Sequence, residues 1–137
     1  MLALLAMYWL PVAAEDHSCH NPMQGRTSLA SEATANLKID RAEWPAFAGI
    51  MSSFARARGW SYRADIRPDQ NYPWLYISIC SQAGTQFQAQ YAPGLPNLII
   101  TVQQPQGGLS WQGPFVDLYK ALKARWPGKI SIEDNRR

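Results

Sequence analysis

The stretch PVAAEDHSCHNPM, residues 11–23, contains both histidines of the chain, one of its two cysteines and one of its four methionines. Imidazole, thiolate and thioether are the ligands that late transition metals and zinc select. Three readings compete for the stretch: a metal site, a disulfide anchor, or the place where a leader peptide ends. Copper or nickel is the sharpest metal reading. Cleavage after Ala14 would leave Glu15-Asp16-His17 as a new terminus. A free amine with His in third position offers Cu(II) or Ni(II) an amine, two deprotonated amides and an imidazole, the square-planar nitrogen set these ions favour. His20 and Met23 would add weaker ligands. A tetrahedral zinc site is the weaker metal reading, because it needs Cys19 reduced and a fourth ligand. No cofactor is expected in the first instance, with copper held by His17 and His20 as the alternative.

The cut itself is expected from the residues before it. MLALLAMYWLPVAA is apolar and uncharged and places small residues at Val12 and Ala14, three and one before Glu15. That is the h-region and cleavage pattern of a secretory signal peptide, although the Lys or Arg that ordinarily precedes the h-region is missing. Pro11 and the abrupt change to EDHSCHN argue against a buried N-terminal helix. Residues 1–14 are therefore expected to be a removed leader, 15–29 a polar N-terminal segment and 30–137 one α+β domain, periplasmic or secreted. No stable membrane span is expected after leader removal, since a spanning helix needs about 20 apolar residues.

Export decides how the cysteines are read. Two cysteines in an oxidising compartment most often form one disulfide, so Cys19 is expected to pair with Cys80. Neither sits in a CxxC, and no lipobox small residue directly precedes Cys19.

The 137 residues amount to one domain, and 47% hydrophobic content with six Trp and six Tyr is enough for an ordinary core. A net charge of +3 is mild, short of the dense basic stripe of a dedicated nucleic-acid binder. SEATANLKI alternates with period two and predicts a first strand. Trp44, Phe47, Ile50, Met51 and Phe54 then recur at helical spacing, with Gly59 as the C-terminal cap. Asp40 and Glu43 resemble a capping box, but Pro45 places the regular start near Trp44.

Four strands follow: WSYRADIR, YPWLYISICS, FQAQYA and NLIITVQQ. In the second, Leu75, Ile77 and Ile79 share one face and Trp74, Tyr76 and Cys80 the other, which predicts a central position. Pro114 suits the first turn of a second helix with Phe115, Leu118, Tyr119, Leu122 and Trp126 on its apolar side. KISIED is a last strand. The order β-α-β-β-β-β-α-β predicts an antiparallel or mixed sheet of five to six strands with both helices on one face. It suggests a split-βαβ plan with an extra hairpin.

Catalysis is not expected. A hydrolase triad needs a His positioned by the fold, and His17 and His20 precede every periodic segment. No GxSxG, P-loop or GxGxxG is present. Asp65, Asp69, Asp117 and Glu133 could meet in a cleft as an acid–base pair of a weak carboxylate-dependent hydrolase, but nothing in their spacing selects them. FARARGWSYRADIR interleaves aromatics with arginines as a surface for a nucleic-acid strand or glycan would. A helix end followed by a strand whose alternate residues face solvent accounts for it better, and no nucleic-acid partner is expected.

A protein-binding module remains. TQFQAQYAP alternates glutamines with Phe87 and Tyr91, and the loop before the second helix brings Trp111 and Gln112. Uncharged polar surface with aromatic anchors is the composition of a protein–protein interface. Phe87, Tyr91, Trp111 and Gln112 are the expected binding surface. The expected role is that of an inhibitor, a toxin-neutralising protein or an envelope adaptor.

Overall fold

A computed structural model describes residues 29–69, 71–105 and 111–134. Six strands and two helices follow the expected order: β1 (Leu29–Leu37), a 3-10 turn (Arg41–Glu43), α1 (Trp44–Arg58), β2 (Ser61–Arg67), β3 (Trp74–Cys80), β4 (Gln86–Tyr91), β5 (Leu98–Pro105), α2 (Gln112–Arg125) and β6 (Ile130–Asp134). All six strands form one antiparallel sheet in the order β2-β3-β4-β5-β1-β6. The β5–α2–β6 unit is a split βαβ, with β1 inserted between its two parallel strands. The β1–α1–β2 unit is split more widely, by β5, β4 and β3. The extra hairpin is thus the β3–β4 pair, lodged inside the first unit.

Both helices lie where their sequence periodicity puts them. In α1, Trp44, Phe47, Met51, Phe54 and Ala55 are buried. Pro45 sits in the first turn, where a missing N–H removes no helical bond. Gly59 takes φ 66°, its N–H donating to the Arg56 carbonyl while Trp60 N–H reaches the Ala55 carbonyl, a Schellman cap. Arg56 and Arg58 occupy the last turn, where cations oppose the helix dipole. The capping box does not form. Asp40 makes no side-chain cap; its carbonyl accepts from Glu43 N–H in the 3-10 turn, and Glu43 instead pairs with Arg125 at 2.9 Å. Helix α2 starts two residues before Pro114, which still falls in the first turn.

One core joins the helices to one face of the sheet. It contains Ala33, Ala35 and Leu37 of β1, Leu75, Ile77 and Ile79 of β3, Phe87 and Ala89 of β4, and Leu98, Ile100 and Val102 of β5. Phe115, Leu118, Leu122 and Trp126 close it from α2 and the residue after it.

Candidate functional site on the helix-free face

Side chains alternate along each strand, so the residues between those core positions must face away from the helices. Strand register gathers them into rows that cross the sheet. One row runs Arg63, Ser78, Gln88, Thr101, Thr34, Glu133, and the next runs Asp65, Tyr76, Gln90, Ile99, Asn36, Ser131. A third, at one end, runs Ser61, Cys80, Gln86, Gln103. The face is dominated by hydroxyls and carboxamides.

Its β2–β3 corner is different. Arg67 pairs across the strands with Trp74, which is 40% exposed, and Tyr72 in the connecting loop is 75% exposed. With Asp65 and Asn71 they line an open depression of about 570 Å³. Arg67 Nε donates to Asp65 Oδ1 at 3.0 Å, which fixes the guanidinium on this surface. A smaller hollow beside it, about 180 Å³, is lined by Arg63, Asp65, Tyr76 and Ser78. Gln88 Nε2 donates to the Tyr76 hydroxyl at 3.1 Å. The corner therefore offers aromatic faces, a guanidinium and amides at one exposed spot.

The expected binding surface is corrected in its aromatic half. Phe87 is fully buried, its ring 5.9 Å from Phe54, 5.4 Å from Trp60 and 5.6 Å from Phe115. Trp111 is buried against Phe115. Tyr91 is half-buried beside Trp44, and Gln112 opens α2 partly buried. The alternation in TQFQAQYAP is real, but the aromatics take the helix side and the glutamines the bare side. Burying aromatic area against the helices is what holds them there.

Trp74 and Tyr76, at the corner, were legible. Their opposition to Leu75, Ile77 and Ile79, taken with two helices on one face, already leaves them on the bare side.

The other candidates do not converge. Asp117 is bound by Arg58 on the helical side, at 2.6 Å, whereas Asp65 lies on the opposite face. Glu133 stands at the far edge, five strands from β2, about 24 Å at ordinary strand spacing. Asp69 is exposed in the turn after β2. No cleft is formed by these four carboxylates. The arginine–aromatic run is divided as well. Arg58 lies over the Phe54 ring on the helical side, Trp60 turns inward to Phe54 and Phe87, and Arg63 and Arg67 emerge on the other face.

Cys80 is buried at the end of β3 on the helix-free face. Glu15, Asp16, His17, Cys19, His20 and Met23 lie outside the described residues. Among the described residues, no three His, Cys, Asp or Glu side chains gather as metal ligands, and no helix is long and apolar enough to cross a membrane. Tyr62, half-buried on the helix side, has its phenol pKa raised above 10.0 by desolvation. No family model matches the chain, and a search of curated proteins finds no significant relative.

Proposed function

We propose that this chain is an exported, non-catalytic binding module, and that a protein partner seats on the helix-free face at the Trp74–Tyr72 corner. The carrying observation is the exposure of Trp74 and Tyr72 around the paired Arg67 and Asp65, bordered by the amides of β4. Trp, Tyr and Arg are the residues that most often dominate binding energy at interfaces. The neutral surface around them is cheap to desolvate compared with a charged one. Inhibition, toxin neutralisation and envelope adaptation all use such a surface, and the composition of the corner supports the binding step common to them. A disulfide between Cys19 and Cys80 belongs to the same reading, as the feature that an oxidising compartment would add.

The test is capture from the native envelope with the wild-type chain and a Trp74→Ala/Tyr72→Ala variant. One stoichiometric protein should be retained by the wild type. Loss of a hot spot worth about 2 kcal/mol should weaken its affinity about thirtyfold in the variant. Val116→Ala, an exposed apolar position on α2, should leave capture unchanged. Equal capture by wild type and corner variant would remove the site, and no captured protein would remove the function.

A further inference from the structure

Strand β2 is an edge of the sheet, and among the described residues no strand lies beyond it. The direction of its backbone groups follows from the β3–β4 turn. Ser81 N–H donates to the Thr85 carbonyl, toward β4. Orientation alternates along an antiparallel ladder, so Trp74, Tyr76, Ser78 and Cys80 turn their backbone N–H and C=O groups toward β2. Their partners Arg67, Asp65, Arg63 and Ser61 turn theirs inward to β3, and Tyr62, Ala64 and Ile66 turn theirs out past the edge.

Two devices that commonly close such an edge are missing from this one. The pairing of Ser61–Arg67 with β3 runs without a bulge, and the strand contains no proline. The helices also stop short of its midpoint. Arg63, Ala64 and Asp65 are exposed in succession, although Ala64 is on the helix side, opposite the buried Ile77.

The strand sequence SYRADIR is complementary to its own reverse. Turned about Ala64, it sets Arg63 opposite Asp65, Tyr62 opposite Ile66, and Ser61 opposite Arg67 of a second copy. Two-fold symmetry makes each of these pairs twice. Arg63 and Asp65 are both exposed on the helix-free face, so opposite charges meet there. Tyr62 and Ile66 both pack against the core on the helix side, so apolar area meets apolar area. The outward backbone groups of Tyr62, Ala64 and Ile66 coincide with those of the copy, and the two ion pairs fall at the non-hydrogen-bonded positions, where side chains approach most closely. Asp65 Oδ1 already accepts from Arg67 Nε, but a carboxylate has capacity for a second guanidinium. Centring the pair on Arg63 or on Asp65 would oppose like charges. The other edge lacks the complementarity: about Ile132, β6 sets Ser131 against Glu133.

We propose that β2 is the interface of a two-fold symmetric dimer, in which the strand pairs antiparallel with its copy about Ala64 and two six-stranded sheets join into one. The helices of both copies then lie on one side, and the two helix-free faces run together on the other. The second copy's Arg63 and Ser61 come opposite Asp65 and Arg67, at the border of the Trp74 corner. The dimer does not rest on the protein partner proposed above; it would present that partner with two equivalent corners.

Sedimentation of the full chain from about 1 μM to about 500 μM tests the dimer, with dissociation on the order of micromolar expected for an interface of one strand. Hydrogen exchange across the same dilution series tests which strand is used. Amides of Tyr62, Ala64 and Ile66 should exchange at least about tenfold slower at the concentrated end, while those of Arg63 and Asp65, already bonded to β3, should not change. Arg63→Asp and Asp65→Arg should each be monomeric alone, because each opposes like charges at both pairs. Mixing the two single variants should restore a dimer, since opposite signs then meet again. A monomer throughout the range would overturn the proposal, and so would species larger than a dimer, which an open-ended contact between β2 and β6 would produce. Dimers that survive either charge reversal, or folded variants that fail to associate when mixed, would overturn the register. The wild-type exchange pattern needs neither variant, and equal exchange at both ends of the series would overturn the strand pairing even if a variant failed to fold.

Discussion

Phe87 and Gln88 are adjacent in the chain and opposite in the fold. Phe87 contacts three aromatic rings in the core, whereas Gln88 holds one hydrogen bond to Tyr76 on the bare face. Phe87→Ala should therefore lower unfolding free energy by about 3–5 kcal/mol. Gln88→Ala should cost about 1 kcal/mol, the net value of a single hydrogen bond. Denaturant midpoints measure both, and comparable losses would mean that the faces are assigned the wrong way round. Tyr62 adds a pH dependence of definite sign. Desolvation raises its folded pKa above 10.0, so the fold prefers the neutral phenol. Its contribution is fully present below about pH 10, where the unfolded phenol is also neutral, and is lost as pH rises through the raised folded value. Melting temperatures from about pH 8 to about pH 11 should fall more steeply for the wild type than for Tyr62→Phe. Parallel curves would remove Tyr62 as the source. At this scale the sequence was half legible. Period two separates Phe87 from Gln88, but assigning the aromatics to a binding surface overlooked how strongly Phe is drawn to the interior.

The elements were more legible than the contacts between them. Helix α1 begins at Trp44 because Pro45 tolerates only a first-turn position, and it ends where Gly59 supplies positive φ. Those are local constraints, and local sequence carries them. The insertion of β1 between β5 and β6 is a long-range choice, and no residue within β1 specifies its neighbours. Its alternation of Ala33, Ala35 and Leu37 requires only a half-buried strand. The candidate site follows the same division. Trp74 and Tyr76 could be placed on one strand face by periodicity, while the meeting of Trp74 with Arg67, Asn71 and Tyr72 depends on β2 pairing antiparallel with β3. The capping-box motif shows local pattern losing to local geometry, since a 3-10 turn satisfies the Glu43 amide before any side chain is needed.

The described part of the molecule is a sheet with one face closed by two helices and the other left polar. The three readings of EDHSCHN, which lies outside the described residues, are ranked by experiment. A Cys19–Cys80 bridge would close a loop of about 60 residues, worth about 4 kcal/mol through the entropy it removes from the unfolded chain. Cys19→Ser should therefore lower the unfolding free energy by several kcal/mol, and more than any single substitution on the exposed part of the bare face. His17 and His20 flank Cys19 in the sequence, ahead of every periodic segment. Replacing both with Ala should shift stability by no more than about 0.5 kcal/mol each, the ordinary range for surface positions. Thermal unfolding of the two variants beside the wild type, with and without Cu(II), decides the order. A large loss from the histidines alone, or tight Cu(II) binding that vanishes in His17→Ala, would put metal ahead of the anchor. A loss confined to Cys19→Ser would make the cysteine the part of the stretch on which the fold depends.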